Sequence, residues 1–119
     1  MPYVDGFVLP VPKRNFDKYR RLARLAAKVW REHGALAYAE CMADDVKKGK
    51  WTSFPRAVKL KPGEVVWFSW IVYRNRKHRD AVNKKVMADK RLASMMDPKN
   101  MPFDGKRFIW GGFNVVVDL

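Results

Sequence analysis

A few polar side chains lie in or beside the apolar segments of this 119-residue chain, and these are the groups that could carry chemistry. Asp5 interrupts one apolar stretch, Glu40 lies in a second, and His78 follows a third. A carboxylate in apolar surroundings has a raised pKa and can act as a general base, with a histidine as its proton-transfer partner. Asp5, Glu40 and His78 are therefore the candidate catalytic residues.

Aromatic and charged residues near these three could line a pocket. Trp67, Trp70 and Tyr73 would supply an aromatic wall of the kind that small-molecule sites use. The predicted pocket or cleft comprises Tyr3, Asp5, Ser53, Phe54, Trp67, Trp70, His78, Arg79, Asp80 and Arg107.

Each of these residues also has a structural interpretation, which is favoured when the residues are taken singly. Asp5 and Asp80 could pair with Arg79 or Arg107 and hold turns in place, while His78 could pack on a helix face. No His, Cys, Asp or Glu spacing typical of a metal site occurs, and no glycine-rich phosphate loop is present. We therefore expect neither a metal nor a cofactor.

The segment Glu64–Tyr73 is the element around which the others must be arranged. It is rich in β-branched and aromatic residues and follows Pro62-Gly63, which is typical of a strand buried on both faces. Trp67 and Tyr73 would point to one face and Trp70 to the other. We expect helices to cover one face and a second copy of the protein, or a ligand, to cover the other.

The remaining elements follow from hydrophobic periodicity and turn signals. The predicted order is strand Tyr3–Leu9 ended by Pro10 and Pro12, helix Lys13–His33, strand Ala35–Met42, irregular segment Asp44–Gly63 with short edge strands or a lid, strand Glu64–Tyr73, helix Asn75–Asp89 with a further turn to Met96, and strand Lys106–Val117.

This order is the βαββαβ arrangement of a ferredoxin-like α+β fold. It predicts a single domain over residues 1–119, with a four-stranded antiparallel sheet and both helices on one face. The other face would expose large aromatic side chains, and such patches mark interfaces. A C2 homodimer that closes sheet on sheet, as a dimeric α/β barrel, is the expected assembly. The small residues on one face of the second strand predict close packing of a helix there.

The net charge of +13 comes from 25 basic and 12 acidic residues and indicates an anionic partner or a solvated surface. The candidate polyanion-binding residues, on the two predicted helices, are Arg20, Arg21, Arg24, Lys28, Lys84 and Lys85. RNA-recognition modules share this strand order, but their basic and aromatic strand motif is missing here. Nucleic-acid binding would therefore act through backbone electrostatics, sensitive to salt and independent of sequence.

Cysteine content and hydropathy bear on location. Cys41 is the single cysteine, so no internal disulfide can form, and the first residues lack a signal-peptide pattern. No apolar run approaches the roughly 20 residues that span a bilayer. We expect a cytoplasmic protein that does not enter the membrane.

The chain resembles the small bacterial YbaA-like family of uncharacterised proteins, within the dimeric α/β-barrel superfamily. The motifs that carry the resemblance are Tyr3–Phe7, Trp30–Ala35, Thr52–Pro55, Phe68–Tyr73, His78–Asp80, Met101–Arg107 and Gly111–Phe113. The resemblance covers essentially the whole chain and implies a ferredoxin-like protomer that pairs sheet to sheet. It implies no particular activity, although the superfamily includes cofactor-free monooxygenases.

Three functions are thus open. The first is a homodimer with a small-molecule pocket beside the sheet, its activity unknown. The second is a nucleic-acid or polyanion binder that uses the basic helix side. The third is a structural or regulatory dimer with no ligand. An enzyme similar to the cofactor-free monooxygenases is a more specific form of the first.

Overall fold

The structure, a computed structural model, describes all residues 1–119 and contains one antiparallel sheet of four strands. The strands are β1 (Tyr3–Pro12), β2 (Ala37–Met42), β3 (Glu64–Tyr73) and β4 (Ile109–Asn114), and the helices are α1 (Phe16–Glu32), α2 (Phe54–Ala57), α3 (Arg76–Met87) and α4 (Lys90–Met95). The strand order β2-β3-β1-β4 confirms the ferredoxin-like fold.

The register of the sheet decides which side chains share a face. Leu9 pairs with Trp67, and Asp5 pairs with Ile71, which in turn pairs with Tyr38 on β2. Side chains alternate along a strand, so all of these point to the face that α1, α3 and α4 cover. The buried apolar core lies between that face and the three helices.

β1 runs through two prolines that were expected to end it. The backbone N–H of Lys13 donates to the carbonyl oxygen of Gly63 at 2.8 Å. In an antiparallel pair every second residue hydrogen-bonds to the same neighbouring strand, so every second residue of β1, counted back from Lys13, has its N–H and C=O directed to β3. Pro10 and Pro12 therefore face the opposite edge, where β4 pairs with β1 only as far as Val8. A proline costs no ladder hydrogen bond where the neighbouring strand has already ended.

The two long helices begin differently. Asn75 caps α3 by accepting the N–H of His78 at 2.7 Å, as N-cap residues do. Asn15 precedes α1 but does not cap it, because a 3₁₀ turn over Lys13–Asn15 leads directly into the helix. The side-chain amide of Asn15 instead donates to the carbonyl oxygen of Pro102. None of the helices combines the length and apolar character needed to cross a membrane.

Two segments differ from the sequence prediction. The segment 44–63 contains no strand: Ser53 caps the one-turn helix α2, and Val58 is buried beside it. The last strand is Ile109–Asn114, shorter than predicted, because Arg107 belongs to a 3₁₀ turn and residues 115–117 pair with no strand.

The second face of the sheet is largely open. Its exposed aromatic side chains include Phe68 and Phe113, which are 40% and 59% exposed. Ala39, which pairs with Trp70, also points to this face, so the expectation that the small residues of β2 pack against a helix is wrong. Only α2 reaches this side, where the Phe54 ring lies 6.0 Å from the Phe68 ring.

Candidate functional site

A pocket of about 140 Å³ lies between the helix-covered face of the sheet and helices α1 and α4. Its walls are mainly aromatic and methionine side chains: Phe7, Tyr19, Trp30, Tyr38, Phe103, Phe108, Met95, Met96 and Met101. Its polar side chains, besides the two tyrosine hydroxyls, are Glu40 and Ser69. An apolar cavity of about 150 Å³ can hold one benzene molecule, so this pocket has room for about one six-membered ring.

Glu40 is the polar centre of the pocket. Tyr19 donates its hydroxyl to Oε1 and Tyr38 donates its hydroxyl to Oε2, each at 2.8 Å. Burial raises the pKa of Glu40 and the two phenols oppose that rise. Burial, together with the neighbouring carboxylate, also raises the pKa of both phenols, so they remain protonated donors. Neither carboxylate oxygen has an ion-pair partner.

One strand and one helix position Glu40 and its two phenol partners. Tyr38 and Glu40 are two residues apart on β2 and so share a face, while Tyr19 comes from the buried side of α1. Ser69, the β3 partner of Glu40, is 3% exposed and forms part of the pocket surface. Tyr19, Tyr38 and Ser69 were not among the predicted site residues. Two features of the sequence indicated them: Tyr38 is two residues from Glu40 on one strand, and Ser69 is the lone serine in an apolar strand.

Asp5 lies on the same face of the sheet as Glu40 but has different partners. It is 2% exposed, and its Oδ1 lies 3.5 Å from Nη1 of Arg79. Burial raises the pKa of Asp5, while the Arg79 charge and the polar groups of Tyr73 and Asn83 lower it. Asp5 is therefore bound into a network that does not line the pocket.

Arg79 organises this network. Its guanidinium lies over the Tyr3 ring at 5.0 Å, donates to the Tyr3 hydroxyl at 3.2 Å, and pairs with Asp80 Oδ1 at 3.1 Å. The structural interpretation of Asp5 and Asp80 as partners of Arg79 agrees with these contacts. Gly112 permits the arrangement, because the Tyr3 ring packs against the space where a Cβ would lie.

The structure does not bring His78 to either carboxylate. Its Nδ1 accepts the backbone N–H of Arg74 at 3.0 Å, and its ring packs edge-on against Tyr73. Burial and the Arg74 charge lower its pKa, which keeps the ring neutral. The proton-transfer pair predicted between His78 and a carboxylate is thus absent from this arrangement.

Arg107 is also engaged structurally. Its guanidinium forms a two-pronged pair with Glu64 at 2.7 and 2.6 Å, and its Nε pairs with Asp104 at 2.9 Å. It donates as well to the backbone carbonyl of Lys59 at 3.1 Å. Arg107 therefore joins the start of β3 to two loops, away from the pocket.

The remaining predicted pocket residues fall on opposite faces of the sheet. Trp67 packs on the helix-covered side, edge-on to Tyr19 at 4.8 Å. Trp70 and Phe54 both pack against Phe68 on the open side, and Ser53 caps α2 there. The predicted aromatic wall is split, because Trp67 and Trp70 are an odd number of residues apart on one strand.

The predicted polyanion-binding residues Arg20, Arg21, Arg24, Lys28, Lys84 and Lys85 are all exposed. None of them forms an ion pair. Lys85 also lines a cleft of about 470 Å³ at the start of α3, together with Arg74, Lys77 and His78. No group of three or more His, Cys, Asp or Glu side chains is arranged to hold a metal ion.

Comparisons with known proteins identify relatives across the full length of the chain. A family described as "Protein of unknown function (DUF1428)" matches residues 2–105. The uncharacterized protein YbaA of Escherichia coli K12 is 49% identical over 118 residues, which is 99% of each chain, and the YbaA protein of Shigella flexneri matches equally well. The crystal structure of a dimeric ferredoxin-like protein from an uncultured marine organism covers 100% of both chains with a TM-score of 0.57 and 13% identity, a likeness of fold.

Proposed function

The chain belongs to the DUF1428 family of proteins of unknown function, and we propose that it binds a small, largely apolar molecule in the pocket between the sheet and helices α1 and α4. The observation that carries this proposal is Glu40, a carboxylate held by two phenols inside an otherwise apolar cavity. The apolar walls would supply binding energy, and the carboxylate would orient one hydrogen-bond donor of the ligand.

The physical support is the cost of keeping Glu40 charged where it is. Burial raises the pKa of Glu40, so ionising this carboxyl costs free energy, and a hydrogen-bond donor on a ligand would offset part of that cost. Tyr19 and Tyr38 fix the carboxylate before any ligand arrives, because each holds one of its oxygens. A preorganised acceptor of this kind reduces the ordering cost of binding.

The pocket can be tested by filling it. Ligand-observed NMR with benzyl alcohol should show binding to the wild type, because its ring fits the cavity and its hydroxyl can donate to Glu40. Ala26 lines the pocket and Ala27, its neighbour on α1, does not. We expect Ala26→Leu to abolish binding and Ala27→Leu to preserve it. Equal binding to both variants would contradict the proposal.

An enzymatic form of the proposal assigns Glu40 as the general base. It alone of the three candidate catalytic residues faces the pocket, since Asp5 and His78 have their own partners. A raised pKa brings a carboxyl closer to the neutral range in which a base works efficiently. Proton abstraction from a bound substrate is the reaction that this group could perform, and it is a step that an enzyme similar to the cofactor-free monooxygenases would use.

We further propose that the protein is a cytoplasmic homodimer joined through the open face of the sheet. Phe68, Trp70, Ile109 and Phe113 form an apolar surface there, and the marine structural neighbour is described as dimeric. An exposed patch of this kind is typical of a subunit interface.

A matched pair of substitutions tests the assembly. Trp70→Glu should produce a monomer or an aggregate, because it places a charge in the seam. Trp51→Glu makes the same chemical change at a residue that is 85% exposed and lies outside the sheet, so its mass should match the wild type. Light scattering after size exclusion distinguishes the two, and an unchanged Trp70→Glu dimer would rule out this seam.

A second candidate function is the binding of nucleic acid through the basic helices. The observation that favours it is the exposed, unpaired state of Arg20, Arg24 and Lys84. Titration with labelled RNA and DNA at low and near-physiological salt tests it, since phosphate contacts lose affinity steeply with salt. Binding that persists at physiological salt and falls on charge reversal at these residues supports it, whereas binding that vanishes identifies a solvated surface.

A further inference from the structure

The geometry of the pocket points to a ligand class. We infer that the pocket takes a small organic cation, an amine that is protonated at neutral pH and carries about one ring, with its ammonium group paired to Glu40. This inference rests on the proposed binding function and specifies it.

The first support is the absence of a cation beside Glu40 in a chain with 25 basic residues. The other acidic side chains that pack into the fold are compensated: Asp5 by Arg79, Glu64 and Asp104 by Arg107, and Asp89 by His33 and Arg91. Asp97 is half-buried and has no ion pair either, but it accepts a backbone N–H within its own turn and does not line the pocket. Asp44 also borders a pocket without an ion pair, but it is exposed to solvent, whereas Glu40 is a half-buried carboxyl that lines a pocket with no cation beside it.

The second support is the chemistry of the two phenols. Tyr19 and Tyr38 each donate one neutral hydrogen bond, which satisfies one acceptor site on each carboxylate oxygen and leaves the negative charge in place. Each oxygen has a further acceptor site. A protonated amine supplies both the donor and the opposite charge, and such charge-assisted hydrogen bonds are roughly twice as strong as neutral ones.

The third support is the composition of the walls. Trp30, Tyr38 and Phe7 present aromatic rings, and Met95 and Met101 present polarisable sulfur. Aromatic faces attract cations through their quadrupole, and aromatic side chains recur as the walls of sites for ammonium ligands. The volume of about 140 Å³ limits the ligand to about one ring with a short arm.

Three probes of nearly equal size separate the possibilities: benzylamine, benzyl alcohol and benzoate, each titrated calorimetrically into the full-length protein at pH 7.5. We expect benzylamine to bind at least about tenfold more tightly than benzyl alcohol, the factor that corresponds to 1.4 kcal/mol. Benzoate should not bind, because two carboxylates would face each other.

The variant Glu40→Gln keeps the shape of the side chain and removes its charge. We expect it to bind benzylamine no more tightly than benzyl alcohol. Glu32→Gln is the matched control, because it makes the same change at an exposed residue of α1 that pairs with Arg91 outside the pocket. It should keep the wild-type preference for the amine.

The outcomes distinguish the inference from the function on which it rests. If benzyl alcohol binds as tightly as benzylamine, or if the amine preference survives Glu40→Gln, the ligand class is wrong and the pocket remains a binding site. If none of the three probes binds the wild type, the proposed function itself is contradicted.

Discussion

Asp5 and Glu40 lie on the same face of one sheet, on either side of β3, yet they differ in burial and in their partners. Asp5 is almost fully buried and has Arg79 as a counter-charge, whereas Glu40 lies at the edge of a cavity with two phenols and no cation. Burial raises the pKa of both. The direction of a pKa shift therefore does not separate a structural carboxylate from a functional one here.

The partners make the distinction. Arg79 binds Asp5, Asp80 and Tyr3 together, so its network joins α3 to β1 and is closed to a ligand. The Glu40 group uses neutral donors and opens into a pocket, so it can receive another partner. A buried ion pair that is broken is costly, whereas a carboxylate on neutral donors can be neutralised with little loss.

The largest expected effect is on the Asp5 side. Arg79→Met should lower the free energy of unfolding at pH 7 by about 3 kcal/mol, because Asp5 is left buried without its counter-charge. The pKa of Asp5 should then rise further, so the deficit should shrink as the pH falls and Asp5 becomes neutral. Urea denaturation at several pH values measures this. Lys77→Met, on the same helix but without an ion pair, should change stability by less than about 0.5 kcal/mol.

Gly112→Ala should perturb the Arg79 network without changing any charge. A Cβ at this position would lie 2.6 Å from Cε2 of Tyr3, so the ring must move and its contacts with Arg79 must weaken. Overpacking of this kind costs about 1–3 kcal/mol. At Gly111 the nearest atom would lie 3.7 Å away, so Gly111→Ala should cost clearly less in thermal denaturation. Equal losses in the two variants would show that Tyr3 adapts freely.

Tyr38→Phe tests the Glu40 side. It removes one of the two hydroxyl donors to the carboxylate, which should cost about 1.5 kcal/mol at neutral pH, the usual size for a hydrogen bond to a charged group. The pKa of Glu40 should rise further, because this hydrogen bond normally lowers it. Carbon-detected NMR titration of the Glu40 carboxyl measures the change. An unchanged pKa would mean that the phenol does not stabilise the charge.

Glu40→Gln should have the smallest effect on stability, within about 1 kcal/mol at pH 7, because relief from ionising a buried carboxyl offsets the weaker hydrogen bonds of the two phenols to a neutral amide. The raised pKa also predicts how the difference in stability between the wild type and Glu40→Gln changes with pH. With the folded-state pKa raised, the ionised carboxylate penalises the folded wild type at higher pH, and this penalty disappears as the pH falls through that pKa. The wild type should thus gain stability relative to Glu40→Gln on acidification. The phenols of Tyr19 and Tyr38, also raised in pKa, stay protonated throughout and do not contribute.

The sequence by itself determined the fold. Alternation in β3, the 3-and-4 spacing of α1 and the order of elements were local patterns, and they predicted the sheet and its helix-covered face correctly. It also singled out Asp5 and Glu40, because a carboxylate in an apolar strand is visible without a structure. The pairing of Asp5 and Asp80 with Arg79 was one of the structural alternatives that those residues raised.

Tertiary structure decided what each of these residues does. Tyr19 meets Glu40 only because α1 packs over β2, and no spacing in the chain encodes that contact. Trp67 and Trp70 are close in sequence but lie on opposite faces, so only one of them packs near the pocket. Pro10 could remain in β1 because β4 ends beside Val8, a fact of strand pairing. The packing of distant segments decides which partners each polar group has. Those partners determine whether a carboxylate belongs to a structural ion pair or remains available to bind a ligand.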